Sequence, residues 1–235
     1  INKRFFTFHE KERPYIILKW AQTQNGFIAE KKNGAATKSL RRSPEYFGQI
    51  SNLKSQILLH KWRSEEQAIM VGTHTAITDN PKLNVREWVG KNPVRIVLDK
   101  NLRLSSPNPK CFRGAPQACG VRTDLHLFDQ SQPTIVFTSL KKGSENNLSF
   151  PQINFNENII PQILSELHRL EIQSLIVEGG AQLLNSFVQS GEWDEARVFI
   201  AGKTFSEGIK APEIPGTLIS KEKIGEDDLV VSGNI

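Results

Sequence analysis

The chain is poor in cysteine and has no long apolar stretch. Only two of its 235 residues are cysteines, Cys111 and Cys119, and two cysteines in a chain of this size do not make a disulfide framework. No His or Cys cluster has the spacing of a zinc site, so we expect no metal. No apolar run approaches the roughly 18 residues that a membrane-spanning helix needs. These absences favour a protein of the reducing cytoplasm.

Concentrated positive charge is also missing. The formal net charge is +5 at pH 7, but the basic residues are scattered along the chain and aromatic residues are not interleaved with them. A nucleic-acid-binding module needs a basic face, so this class is disfavoured. A mildly basic surface and a phosphorylated small-molecule ligand both fit the charge.

The first residues differ from the rest in composition. Residues 1–13 are polar and basic, with Phe5, Phe6 and Phe8 among them, and they begin without Met or a hydrophobic signal region. We interpret them as a linker from a missing N-terminal domain. Residues 14–235 then form one domain, in which we find no repeat and no second core.

Short apolar segments alternate with helical patterns along this domain. Strands are expected at residues 14–21, 67–72, 93–99, 133–138, 174–178, 196–201 and 228–232. Helices are expected after a cap at Ser51, at 73–79 as a turn or short helix, at 157–170 after a cap at Asn156, and at 181–189. This alternation predicts an α/β fold with a mostly parallel central sheet flanked by helices, and the closing segments predict antiparallel C-terminal strands.

The turn after the strand at 174–178 is the most distinctive motif. Here Glu178-Gly179-Gly180 leads directly into a helix. Two glycines let a phosphate approach the backbone, and the helix start supplies free N–H groups and the positive end of a dipole. The glycines could equally form a tight turn, since no complete Gly-x-Gly-x-x-Gly pattern is present. Glu178 favours a ligand site, because strand ends line the binding crevice of α/β sheets.

A second polar cluster spans residues 72–86. It contains hydroxyl groups, Asp79 and Arg86, and Arg63 at the end of the preceding helix could converge on the same ligand. The planar fork of arginine suits a terminal phosphate. Each arginine could instead be a solvated surface residue, and Asp79 could serve only the turn at Asn80-Pro81.

Lys19 is a charged residue inside the apolar segment at 14–21. A buried charge needs a reason. Its side chain either faces outward to solvent or points into the ligand crevice.

Taken together, these segments resemble the C-terminal reductase domain of the bifunctional riboflavin biosynthesis deaminase/reductase. Three motifs carry the resemblance in order: LKWAQTQNGFIA at 18–29, HKWRSEEQAIMVGTHTAITDNPKLNVR at 60–86 and IQSLIVEGGAQLLNS at 172–186. It implies a dihydrofolate-reductase-like fold, a homodimer, and reduction of 5-amino-6-(5-phosphoribosylamino)uracil by NADPH to the ribitylamino product.

The resemblance also implies roles for individual residues. It places Lys19 at the substrate end of the first strand, and it leaves Lys19, Asp79 and Glu178 as unranked candidates for proton transfer. The implied cofactor contacts are Ala21, Thr75, Asp79, Lys100, Gly180, Ala181, Gln182 and Leu183, with Lys100 near the 2′-phosphate. The implied substrate contacts are Arg63, Leu83, Arg86 and Glu178.

The chain departs from the family pattern in two respects. Phe47 and Gln49 stand where many members have a Ser-x-Trp segment, so those contacts are not transferred. The zinc motifs of the deaminase half, His-x-Glu and Pro-Cys-x-x-Cys, are absent, so we do not expect this chain to deaminate.

Two alternative reductases remain open. A fungal or archaeal-type enzyme would reduce the 2,5-diamino-pyrimidinone before deamination, whereas the linker-like start favours the fused bacterial arrangement. A dihydrofolate reductase would share the fold, but two arginines suited to a sugar phosphate favour the ribosyl substrate.

Overall fold

The computed structural model of the protein describes residues 2–31, 50–104 and 125–234. Five helices lie within these ranges, namely α1 (Lys3–Glu10), α2 (Leu53–Glu65), α3 (Thr73–Asp79), α4 (Ile159–Arg169) and α5 (Ala181–Ser190). The strands are β1 (Tyr15–Thr23), β2 (Phe27–Glu30), β3 (Ala68–Val71), β4 (Val94–Leu98), β5 (Thr134–Phe137), β6 (Leu148–Ser149), β7 (Ser174–Glu178), β8 (Glu195–Ala201), β9 (Gly208–Lys210), β10 (Thr217–Ile224) and β11 (Asp227–Gly233). A short 3₁₀ helix covers His126–Phe128.

Nine strands form one sheet, in the order β10-β11-β8-β1-β7-β3-β4-β5-β6. From β8 to β6 every neighbouring pair is parallel. The last two strands are antiparallel, with β11 between β8 and β10. The predicted α/β fold with a mostly parallel sheet and antiparallel C-terminal strands is therefore confirmed.

Strand β1 lies in the middle of the sheet and is buried on both faces. Its even-numbered residues, such as Ile16 and Leu18, belong to the core that α4 and α5 cover. Tyr15 and Ile17 face the opposite core, which contains Leu59 and Trp62 of α2. Burial on both faces explains why the strand is a nearly continuous apolar run rather than an alternating one. Lys19 shares the face of Ile17, because side chains repeat every second residue.

The predicted helix caps are displaced by one or two residues. Helix α2 is capped by Asn52 rather than Ser51, because the Asn52 side chain accepts a hydrogen bond from Ser55 N at 3.1 Å. Helix α4 is capped by Asn158 rather than Asn156, with Ile160 N as the donor at 3.2 Å. Both caps are asparagines whose side-chain oxygen accepts a hydrogen bond from a backbone N–H of the first turn, as an N-cap requires.

Residues 3–10, interpreted above as part of a linker, form helix α1 on the surface of the domain. Phe8 is 8% exposed, and its ring lies 4.5 Å from that of His168 at the end of α4. Arg13 then anchors the segment through a 2.6 Å bond to Asp194. The segment therefore packs on the domain, and a preceding domain stays a prediction.

Four strands were not predicted from the sequence. Strands β2 and β9 pair antiparallel in a separate two-stranded ribbon, and β6 and β10 extend the two ends of the main sheet. The β2–β9 pairing joins segments about 180 positions apart and so leaves no local signal. Within the described ranges, no helix has the length and apolar character that a membrane crossing demands.

Candidate functional site

A cavity of about 450 Å³ opens at the carboxyl ends of β1, β3 and β7. This is the edge at which α/β sheets bind ligands. Most residues predicted from the sequence line it, namely Lys19, Ala21, Arg63, Thr75, Asp79, Leu83, Arg86, Glu178 and Gly180. Residues more than 150 positions apart are thus brought together by the parallel sheet.

Four predicted cofactor contacts do not line this cavity. Lys100 borders a different cavity of about 460 Å³, next to Ser139 and Phe155. Ala181 and Gln182 start α5 beside the glycine turn. Leu183 is 5% exposed and belongs to the apolar core, which leaves only its backbone for a ligand. Phe47 and Gln49 lie outside the described residues.

A buried ion pair crosses the cavity wall. Arg63 of α2 donates two hydrogen bonds to Glu178 at the end of β7, from Nε at 3.0 Å and from Nη2 at 2.9 Å. The two side chains are only 8% and 14% exposed. A third bond runs from Arg63 Nη1 to the carbonyl of Asn84 at 3.3 Å. Most N–H donors of the Arg63 guanidinium are therefore already bonded to acceptors of the protein.

Lys19 lies beside this pair, directly opposite Glu178 on the neighbouring strand. It is 9% exposed. Among the described residues its ammonium group makes no hydrogen bond or ion pair, and Nζ lies 5.7 Å from the centroid of the Phe199 ring. Lys19 is therefore buried at the cavity rather than facing solvent, so the outward-facing alternative is wrong, and its role toward a ligand stays a prediction.

Burial and charge set the protonation of this group of residues. Burial lowers the pKa of Lys19, Glu178 opposes the change, and Arg63 adds to it. Burial alone would raise the pKa of Glu178, but the charges of Arg63 and Lys19 hold it below its ordinary value. The site thus contains an ionised carboxylate held by arginine and a lysine that releases its proton more readily than usual.

The glycine turn forms another wall of the cavity. Gly180 N donates to Thr75 Oγ1 at 3.1 Å, and Gly180 caps α5 without a side-chain bond. A Cβ at Gly180 would come no closer than 3.6 Å to Thr75 Oγ1, and one at Gly179 no closer than 3.5 Å to Leu183. Both are ordinary contacts, so the packing of the protein does not require glycine here. Missing side chains on a cavity wall leave room for a ligand against the backbone.

Sequence reasoning missed several cavity residues. His60 lies three residues before Arg63 on α2, a spacing that places both on one helix face, and this spacing could have revealed it. Ile28, Ala29 and Ile209 reach the cavity from the β2–β9 ribbon. No local pattern marks them, because the ribbon joins segments about 180 residues apart.

Comparison with known families gives one match that covers most of the chain. A family model described as the RibD C-terminal domain matches residues 14–219. The riboflavin biosynthesis protein RibD of Aquifex aeolicus is 34% identical over 221 residues, which are 91% of this chain and 53% of that protein. The chain thus spans about half the length of this relative.

Two further proteins are similar over most of the chain. A 2,5-diamino-6-ribosylamino-4(3H)-pyrimidinone 5′-phosphate reductase of Methanothermobacter thermautotrophicus is 33% identical over 196 residues, covering 80% of this chain and 78% of that protein. A solved deaminase/5-amino-6-(5-phosphoribosylamino)uracil reductase of Thermotoga maritima superposes with a TM-score of 0.74 at 23% identity, over 98% of this chain and 59% of that one. The solved structure establishes likeness of fold.

Proposed function

Since this chain belongs to the family of RibD C-terminal domains, we propose that it is a reductase of riboflavin biosynthesis. Its substrate is 5-amino-6-(5-phosphoribosylamino)uracil and its reductant NADPH. The observation that carries the proposal is the buried Lys19, which faces the same cavity as the Arg63–Glu178 pair and the glycine turn. The cavity thus combines a proton donor, a charged wall for the substrate and a wall for a dinucleotide.

The glycine turn fits the pyrophosphate of a dinucleotide. The first turn of α5 has N–H groups without helical partners, and these groups favour an anion. Thr75, which accepts a hydrogen bond from Gly180 N, lines the same cavity as Ala21 and Asp79. When bound, NADPH would supply the hydride. The protein's own residues orient the two ligands and exclude water.

The proton is the part of the reaction that the protein must provide. A ribosylamine opens to an imine, and its reduction adds hydride to C1′ and one proton to nitrogen. Glu178 is ionised and held by Arg63, and Asp79 is exposed at the end of α3. Lys19 is buried, and burial eases the release of its proton. We therefore assign proton donation to Lys19.

The substrate phosphate is assigned mainly to Arg86. Sequence reasoning gave Arg63 and Arg86 equal parts, but most of the Arg63 fork is taken by Glu178 and Asn84. The Arg86 side chain is 46% exposed at the cavity mouth. Its Nη1 donates to Asn84 Oδ1 at 3.3 Å, and its Nε lies 3.8 Å from the half-exposed carboxylate of Glu87. A phosphate dianion would compete with both acceptors, because it carries more negative charge than either.

Measuring NADPH oxidation with the deaminated and undeaminated substrates side by side tests the proposal. Faster turnover of the uracil compound supports it. Faster turnover of the 2,5-diamino-pyrimidinone would support the second candidate function, which the 33% identity to the Methanothermobacter reductase favours. Oxidation with neither substrate would refute both.

We expect Gly180→Val to weaken NADPH binding by about tenfold or more, because a branched side chain would cover the backbone N–H groups at the start of α5. The fold should persist, since Gly180 has the extended backbone of φ −67° and ψ 161° that valine adopts readily. Tryptophan fluorescence titration measures the affinity. Gly143→Val, at a site with no neighbour within 4 Å, is the control. Normal binding by folded Gly180→Val would place the pyrophosphate elsewhere.

We expect Lys100→Ala/Arg103→Ala to reduce the preference for NADPH over NADH and to leave NADH turnover intact. Both residues are exposed just beyond β4, and Lys100 Nζ lies 5.8 Å from the Phe155 ring. A cation here would bind the 2′-phosphate that NADH lacks. The ratio of kcat/KM for the two cofactors is the measurement. As a control, Lys3→Ala/Lys11→Ala removes the same charge at the first residue and the C-cap of α1. An unchanged ratio refutes the assignment.

We further propose a cytoplasmic homodimer that pairs through β10. This edge strand is exposed along nearly its whole length, with Leu218 and Ile219 at 60% and 54% exposure. Unpaired edges with apolar side chains favour strand addition. Sedimentation should show a dimer for the wild type and a folded monomer for Leu218→Lys/Ile219→Lys. A variant that stays dimeric would exclude β10 as the interface.

A further inference from the structure

His60 is a buried cavity residue that the proposed mechanism does not use. It lies on α2 one turn before Arg63 and is 2% exposed. Its ring borders the cavity together with Arg63, Arg86 and Glu178. A buried imidazole among three charged groups calls for a specific role.

Two bonds attach the segment that carries Arg86 to α2. His60 Nδ1 accepts a hydrogen bond from the backbone N of Arg86 at 3.3 Å. Arg63 Nη1 donates to the carbonyl of Asn84 at 3.3 Å. The segment is irregular and begins after Leu83, which has a φ of +50°. It therefore has no regular hydrogen-bond ladder of its own, and these two bonds to α2, together with the bond from Val85 N to Asn92 Oδ1 at 2.8 Å, hold it beside the cavity.

The bond to Arg86 requires an unprotonated Nδ1. Burial, together with the charges of Arg63 on the same helix and Arg86 on the facing segment, lowers the pKa of His60 to about 4, although a hydrogen bond to the backbone of Asn84 opposes the change. Glu178 on β7 opposes this change, but its charge is already engaged by Arg63. His60 therefore stays neutral and keeps its acceptor at neutral pH.

We propose that His60 is a positioning residue for the substrate phosphate, because its Nδ1 anchors the backbone of Arg86 and so holds the guanidinium at the cavity mouth. The inference rests on the proposed function. A long arginine side chain has many conformers, and a fixed backbone reduces the number that point away from the ligand.

Two amide variants separate this role from simple packing. The side-chain oxygen of His60→Asn falls near Nδ1, whereas that of His60→Gln falls near Nε2. We expect His60→Gln to raise KM for the phosphorylated substrate by about tenfold at nearly unchanged kcat, and His60→Asn to restore most of the loss. The KM of the dephosphorylated substrate should not change in either variant. Lys54→Gln, on the exposed start of α2, is the control.

A double-mutant cycle tests whether His60 acts through Arg86. Arg86→Ala should raise the same KM, and adding His60→Gln to it should cause no further increase. Additive effects, a fall in kcat alone, or equal losses with both substrates would overturn the proposal. Absence of turnover by the wild type would overturn the proposed function and this inference with it.

If His60→Gln does not fold, the pH dependence of KM in the wild type tests the proposal. Protonation of His60 removes the acceptor, so the ratio of KM for phosphorylated to dephosphorylated substrate should rise between about pH 5 and pH 4, where a phosphate monoester stays a monoanion. A flat ratio over this range would overturn the proposal.

Discussion

Glutamine at position 178 is expected to lower turnover by a factor of about 100 or more and to leave NADPH affinity nearly unchanged. Glu178 is the one acidic group that faces both Arg63 and Lys19 among the described residues of this wall. The amide keeps the shape of the side chain but removes its charge. Two buried cations then lack their anion, and the pKa of Lys19 falls further because Glu178 normally raises it.

The same substitution should reduce stability. Removal of one partner from a buried ion pair costs about 3 kcal/mol or more, because the remaining charge is left uncompensated. Urea unfolding measures this loss, and circular dichroism confirms the fold. Glu66→Gln is a matched control, because Glu66 is 4% exposed and bonds Arg4, and neither residue lines the cavity. It should lose stability but keep its turnover.

The pH profile gives a sharper test of Glu178. If protonated Lys19 donates the proton, activity falls as pH rises through the pKa of Lys19. Because Glu178 raises that pKa, its loss should move the alkaline limb to lower pH. A folded Glu178→Gln variant with normal kcat and an unmoved limb would make Glu178 a structural residue.

The sequence predicts the parts of this site that depend on local pattern. Strand β7 and the turn at Gly179-Gly180 are continuous in the chain, and their apolar run and glycines mark them directly. The end of α3 is equally local, since Asn80-Pro81 stops the helix and Asn80 takes a φ of +41°. Lys19 was recognised because a charge interrupts an apolar strand.

The partners within the site could not be predicted in the same way. Arg63 and Glu178 were both assigned to the substrate, although 115 positions separate them and they bind each other. Composition gives the two charges but not their distance, which the β3–β7 pairing and the packing of α2 determine. The β2–β9 ribbon was missed for the same reason. The sequence thus identifies candidate ligand-binding residues, whereas the fold determines which of these residues bind each other.

Methionine at position 19 is expected to lower kcat by a factor of about 100 to 10,000, the range that a positioned general acid contributes. The unbranched side chain of methionine replaces the lysine stem in the apolar strand without the charge. NADPH affinity should stay within about twofold, because Lys19 does not belong to the glycine turn. Stopped-flow measurement of hydride transfer distinguishes a slower chemical step from slower product release.

Lys19→Met should raise the stability of the folded protein, although it lowers kcat. The pKa of Lys19 lies below its ordinary value of 10.5 in the folded protein, so the unfolded chain binds more protons between the two pKa values. Wild-type stability therefore rises with pH across this window. Below the folded pKa, the full free-energy cost of burying the charged ammonium is present. Lys19→Met has no such penalty. Its excess stability, measured by urea unfolding, should be largest below the folded pKa of Lys19 and should vanish near pH 10.5.

Arginine at position 19 separates proton donation from simple electrostatic support. Its guanidinium keeps a positive charge opposite Glu178, but it does not release a proton in this pH range. We expect Lys19→Arg to lose nearly as much kcat as Lys19→Met and to have no alkaline limb caused by residue 19. A folded Lys19→Arg variant that keeps most of its turnover would show that the charge alone is needed. The proton would then come from Asp79 or from water.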